Sequence, residues 1–74
     1  MDDAKELKKV GDAIRRFRME LEVSQDAFAD RIDMHRAYYG TIERGRQNVT
    51  VLTLLRICEG LGVKPSEVLA QAEL

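Results

Sequence analysis

Apolar residues recur along the first part of the chain at intervals of three and four. They are Leu7, Val10, Ile14, Phe17 and Leu21. This spacing is typical of a helix that buries one stripe of its surface. We therefore predict a first helix that Asp2 and Asp3 cap and that ends over residues 20–23.

Two short helical patterns follow so closely that a sharp turn must join them. The first begins at Ser24, whose hydroxyl can accept an early helix N–H. The chain turns at Asp33, a residue type that tolerates left-handed backbone, and the second helix runs from near His35 to Gly45. The apolar positions of the first are Ala27, Phe28 and Ile32. Residues 24–45 therefore predict a helix-turn-helix, a motif that lays its second helix in the DNA major groove.

Residues 50–72 predict two more helices. Thr50 can cap a fourth helix that runs to about Gly60 or Leu61. Pro65 suits the first turn of a fifth helix that continues over residues 66–72. The predicted fold class is all-α: one compact five-helix domain over residues 1–74, with the helix-turn-helix as its second and third helices.

The sequence resembles the lambda-repressor/Cro-like helix-turn-helix family over roughly residues 8–70. The resemblance lies in the stretches VGDAIRRFR (10–18), Ser24-Gln25, Ala29, IERG (42–45) and LLRICEGLGVKPSEVL (54–69). The stretch HRAYYGTIERGRQN (35–48) also looks like the controller regulators of restriction–modification systems. The chain departs from the family at Asp33, where Gly is usual, and at Gly40, where Ser is frequent.

The overall charge is unusual for a DNA-binding domain. The 74 residues carry a formal net charge of −1, and phosphate contacts drive affinity for nucleic acid. The placement of charge nevertheless matters more than its sum. Arg36, Ala37, Gly40, Thr41 and Arg44 share one face of the second motif helix, opposite Ile42. That face is either a solvated surface or the surface that meets DNA, and its small central residues favour DNA.

Arg36 is the best candidate for reading a base, because its guanidinium matches guanine O6 and N7; the alternative is a phosphate clamp. Ala37 and Thr41 offer methyl groups to thymine. The resemblance implies that Tyr39 belongs to the core. Tyr38 then lies at the edge, where its hydroxyl meets DNA or the ring simply packs.

Other residues are predicted to hold the DNA backbone or the fold. The resemblance implies a phosphate contact for Gln25 and a structural ion pair between Arg18 and Glu43. His35 is an N-cap or a phosphate neighbour. The predicted phosphate contacts are Gln25, His35, Arg44, Arg46 and Asn48.

The fourth helix is too apolar for one buried face, since its apolar arc spans roughly 220°. We therefore predict a homodimer built from about residues 49–74, with the interface at Val51, Leu52, Leu55, Val68 and Leu69. The predicted function is sequence-specific transcription control on a palindromic operator, as in restriction–modification controllers. The alternative is an antitoxin-like protein-interaction module, which the acidic pI of about 5.8 favours slightly.

Other classes of function find little support in the sequence. No catalytic motif is recognisable, so we expect no enzyme, and no cofactor, metal or small-molecule ligand. The single cysteine, Cys58, excludes an intrachain disulfide and is expected to be a buried apolar residue. No signal peptide or membrane-spanning run is present, and a cytoplasmic protein is the expectation.

Overall fold

The computed structural model describes residues 3–74, and this part of the chain contains helices and no strand. The five helices are α1 (Asp3–Glu20), α2 (Gln25–Arg31), α3 (Arg36–Glu43), α4 (Val51–Leu61) and α5 (Pro65–Gln71). This confirms the predicted all-α fold with the motif as α2 and α3. The predicted cap Asp2 lies outside the described residues. No helix in residues 3–74 is both long and apolar enough to span a membrane.

Side-chain caps begin the helices where the sequence predicts them. The Ser24 hydroxyl accepts the N–H of Ala27 at 3.0 Å, and the Thr50 hydroxyl accepts the N–H of Thr53 at 3.1 Å. Each bond satisfies an N–H that has no partner within its helix. The first motif helix, α2, and α4 therefore begin at positions fixed by local chemistry.

One residue with left-handed backbone lies on each side of α3. Asp33 has φ 55° in the turn before this helix, and Gly45 has φ 73° just after it. The N–H of Arg46 donates to the carbonyl of Thr41 at 2.9 Å, and that of Gly45 donates to Ile42 at 3.0 Å. These two bonds form a Schellman motif, which ends α3 sharply.

The core draws fully buried side chains from all five helices. They include Ile14, Phe28, Tyr39, Ile42, Ile57 and Val68. The rings of Phe28 and Tyr39 lie 5.2 Å apart, which joins the two motif helices. Two residues of the predicted apolar patterns do not join the core: Ala27 is exposed, and so is Leu21, which lies beyond the end of α1.

The C-terminal end of α3 lies against the backbone of α1. A Cβ on Gly11 would come within 2.5 Å of the carbonyl oxygens of Ile42 and Glu43. A Cβ on Gly45 would come within 2.5 Å of the Cα of Lys8. The two glycines therefore permit a contact that fixes the direction of α3 relative to α1.

Candidate nucleic-acid interface

The exposed side of α3 begins with a cation. Arg36 and Ala37 are exposed, whereas Tyr38 and Thr41 are half-buried. Tyr38 packs against the core, as the packing alternative requires, and part of its surface remains open. The Thr41 hydroxyl donates to the carbonyl of Tyr38 at 2.6 Å. Because its proton is used within the helix, Thr41 presents mainly its methyl group for an outside contact.

Gly40 does not form the open centre that the helix wheel predicts. It is buried, and a Cβ there would lie 3.1 Å from Nη1 of Arg44 and 3.4 Å from Oε1 of Gln25. A long side chain four residues further along a helix folds back over this position. The surface above Gly40 therefore consists of the ends of Arg44 and Gln25.

Arg18 and Glu43, which the resemblance pairs, form a buried two-pronged ion pair. Nε of Arg18 donates to Oε2 of Glu43 at 2.7 Å, and Nη2 donates to Oε1 at 3.0 Å. The Tyr39 hydroxyl and the Gln25 amide also donate to this carboxylate. Nη1 of Arg18 reaches the carbonyl of Val23 at 2.7 Å. One cluster thus ties α1, α2 and α3 together.

The hydrogen bonds of this cluster keep Glu43 ionised. Burial alone would raise the pKa of the Glu43 carboxyl, but the bonds from Arg18, Tyr39 and Gln25 outweigh it and lower the pKa. Burial and the bond to Glu43 raise the pKa of Tyr39, so the phenol stays protonated. Among residues 3–74, every buried side-chain polar atom has a partner. The cluster is therefore a fully satisfied structural element, as such burial requires.

The amide of Gln25 therefore has two candidate partners, the Glu43 carboxylate and a DNA phosphate. One of its two N–H groups is used at 3.0 Å on Glu43. The other is available, since an amide nitrogen carries two donors. Gln25 could therefore donate to a phosphate and keep its bond to Glu43, which anchors its amide to α3.

A basic groove lies beside the cluster, between α1 and the end of α3. Its lining residues are Lys8, Asp12, Arg15, Gln25, Glu43, Arg44 and Arg46. Asp12 pairs with Lys8 at 2.6 Å, and Glu43 is occupied by Arg18. The helix-turn-helix prediction missed Lys8 and Arg15 because they lie on α1. Their separation of seven residues places them on one helix face, a signal that was available in the sequence.

Arg36 is held by carboxylates of α2. Its Nε donates to Oδ1 of Asp30 at 3.1 Å and its Nη2 donates to Oδ2 at 2.7 Å. Nη1 lies 3.6 Å from Oδ2 of Asp26. The hydrogen bond from Arg36 lowers the pKa of Asp30, and the same bond raises the pKa of Arg36. If Arg36 reads a base while this pair is intact, it must do so with the N–H groups that Asp30 does not use.

Two predicted phosphate contacts lie outside the basic groove. His35 occupies the N-cap position of α3, which confirms one of its two predicted places, although its side chain makes no capping hydrogen bond. Asn48 lies beside Asp3 and Glu6 in a separate depression. These carboxylates disfavour a phosphate next to Asn48.

The predicted interface residues separate into two groups. Val51 and Leu52 are 73% and 78% exposed, and Leu55 and Leu69 are also exposed. Val68 is fully buried, so its place in the interface is wrong. Val68 faces the core together with Ala72 four residues later, one turn along the same side. Leu69, the next residue, consequently faces outward.

The remaining chemistry-bearing residues form no site within residues 3–74. Cys58 is buried, and burial raises the pKa of its thiol. No cluster of three or more His, Cys, Asp or Glu side chains in the described part of the chain could hold a metal ion. The buried ion-pair cluster, the basic groove and the Arg36–Asp30 pair thus all lie at α3.

Known proteins similar to this chain share both sequence and fold. The family model described as helix-turn-helix matches residues 14–68. The control protein C.MunI of Mycoplasma sp is 38% identical over 66 residues, covering 88% of this chain and 89% of that protein. The control protein C.BamHI of Bacillus amyloliquefaciens is 37% identical over 60 residues, covering 80% of this chain and 74% of that protein.

The fold is also similar to a solved structure. The restriction-modification controller protein C.AhdI from Aeromonas hydrophila superposes with a TM-score of 0.80 at 32% identity. The match covers 84% of this chain and 94% of the other. The similarity extends over nearly the whole domain rather than over the motif alone.

Proposed function

We propose that this chain, which belongs to the helix-turn-helix family of DNA-binding transcription regulators, controls a restriction–modification system as a homodimer on a palindromic operator. Its relatives named as control proteins match most of its length. Regulation would depend on protein concentration and dimerisation.

The observation that carries this proposal is the basic groove between α1 and α3. Lys8, Arg15, Arg44 and Arg46 line it although the whole chain has a net charge of −1. A DNA backbone placed there would meet Arg15, Arg44 and Arg46 and the remaining N–H of Gln25, whereas Lys8 is already paired with Asp12. Bound phosphates release counterions, which gives affinity for any duplex. Charge is thus concentrated where the motif would approach DNA.

Base reading is assigned to the N-terminal half of α3. In this type of motif, residues at the start of the second helix contact base edges. Arg36 would read guanine, and the methyl groups of Ala37 and Thr41 would meet thymine. Tyr38 would border this contact, and exposed His35 would lie next to a phosphate.

Selection of bound sequences from a random duplex pool tests the proposal. Purified protein is incubated at two stated salt concentrations, and the enriched sequences are read. We expect a two-fold symmetric site whose affinity falls steeply with salt, by about 0.9 logarithmic units of affinity per logarithmic unit of salt for each phosphate bound. A flat salt response without enrichment would overturn the proposal in favour of a protein-interaction module.

Two arginine variants separate base reading from phosphate binding. Arg36→Ala should relax the selected sequence at one base pair of each half-site. Arg46→Ala should weaken all duplexes alike and reduce the salt slope by about one. Equal loss of operator and random binding by Arg36→Ala would instead identify Arg36 as a phosphate contact.

A further inference from the structure

The pair between Arg36 and Asp30 uses only one edge of the guanidinium. Asp30 accepts from Nε and from Nη2, at 3.1 and 2.7 Å. The planar guanidinium carries five N–H donors, one on Nε and two on each terminal nitrogen. Three donors therefore remain, on Nη1 and Nη2 at the terminal edge. That edge has the fork geometry that matches O6 and N7 of guanine.

The same carboxylates make Arg36 unsuited to a phosphate. Asp26 lies 3.6 Å from Nη1, so two carboxylates face one guanidinium and the local formal charge is negative. A phosphate approaching this group would be repelled, whereas a neutral base edge would not. Within residues 3–74, Arg44 and Arg46 have no carboxylate in an ion pair with them. Arg36 thus differs from Arg44 and Arg46 in that neighbouring carboxylates offset its charge.

We propose that Asp30 is the specificity-determining positioning residue of this domain: it fixes Arg36 side-on, directs its terminal edge at a guanine, and prevents it from serving as a general phosphate contact. This inference rests on the proposed DNA-binding function. Asp30 acts through Arg36 and touches no base itself. Asp26 adds charge without a hydrogen bond, so its effect is electrostatic alone.

The contrast between Asp30 and Asp26 provides a matched pair of variants. Asp30→Asn and Asp26→Asn each remove one negative charge from α2, but only the first removes a carboxylate that holds Arg36 by hydrogen bonds. Dissociation constants are measured for the selected operator and for a random duplex at one salt concentration. The operator is also tested with its candidate guanine replaced by adenine.

We expect Asp30→Asn to lower the ratio of operator to random affinity about tenfold, the discrimination that one two-pronged base contact supplies. The loss should fall on the base pair that Arg36→Ala relaxes. Asp26→Asn should raise both affinities together and keep the ratio. Both pairs lie on the exposed surface, so the melting temperature should be unchanged in each variant.

A double variant tests whether Asp30 acts through Arg36. In an Arg36→Ala protein, Asp30→Asn should cause no further loss of discrimination, because the group it positions is absent. A further tenfold loss there would overturn the proposal, and so would an equal change of the ratio in Asp26→Asn and Asp30→Asn. If the unmodified protein fails to distinguish operator from random DNA, the proposed function itself fails. If it distinguishes them and Asp30→Asn does so equally well, only the role of Asp30 is overturned.

Discussion

Glu43 accepts hydrogen bonds from three side chains where α1, α2 and α3 meet. Glu43→Ala would leave the guanidinium of Arg18 buried without a carboxylate. Removing one partner of a buried ion pair costs about 3–5 kcal/mol. A domain of this length has a total stability of about 4–11 kcal/mol. We therefore expect a large loss of unfolding free energy in denaturant titrations.

The exposed pair between Lys8 and Asp12 provides the control for this variant. Its two side chains are largely solvated, so Asp12→Ala should change the unfolding free energy by less than about 1 kcal/mol. An equal melting temperature for Glu43→Ala and the unmodified protein would contradict a structural role for the cluster.

The lowered pKa of Glu43 predicts a dependence of stability on pH. The folded state lowers this pKa below its ordinary value of 4.5, so ionised Glu43 stabilises the fold above about pH 4.5. That contribution is lost as the pH falls from there through the folded pKa, since the unfolded state then binds the proton more readily. Glu43→Gln should lack this part of the acid-induced loss. Unfolding free energies between pH 7 and pH 3 would measure the difference, and identical slopes for the two proteins would refute it.

At the scale of helices, two glycines inside helices should respond oppositely to alanine. Alanine is favoured over glycine within a helix by about 1 kcal/mol. At Gly11 the added Cβ would meet two backbone carbonyl oxygens of α3 at 2.5 Å. We expect Gly11→Ala to be destabilising, because neither α1 nor the end of α3 can move without disturbing the pair between Arg18 and Glu43.

Gly40 is the matched case. A Cβ there would meet the ends of Arg44 and Gln25 at 3.1 and 3.4 Å, and flexible side chains can withdraw. Gly40→Ala should therefore keep or raise the melting temperature. A melting temperature raised by Gly11→Ala would show that the close approach of α1 and α3 is not required.

The sequence predicted helices better than it predicted contacts between helices. Apolar periodicity and the caps at Ser24 and Thr50 are local, so they located the elements to within a residue or two. The burial of Val68 and the placement of Arg44 and Gln25 over Gly40 depend on how the helices cross, which periodicity does not specify. Arg18 and Glu43 are 25 positions apart, and only the family resemblance related them. The pair of Arg36 with Asp30 required the geometry of the turn.

At the scale of the whole molecule, apolar surface and basic groove are contributed by different helices. Val51, Leu52, Leu55 and Leu69 lie exposed on α4 and α5, with Leu74 just beyond. Such an apolar patch of exposed side chains on a small domain usually marks an association surface. A two-fold dimer through this patch would be self-complementary. Its two α3 helices would have to lie about 34 Å apart to meet half-sites about 10 base pairs apart.

Leu52→Glu tests this arrangement, because Leu52 is 78% exposed and contributes little to the core of one protomer. A carboxylate there would be buried without a partner in the dimer. We expect a folded monomer in sedimentation that binds the operator weakly, since the contacts of two half-sites no longer add. Met19→Glu is the control: Met19 is 54% exposed on α1, outside the patch, and its variant should remain dimeric. A monomer for the unmodified protein at high micromolar concentration would refute the dimer and leave each α3 to bind its half-site alone.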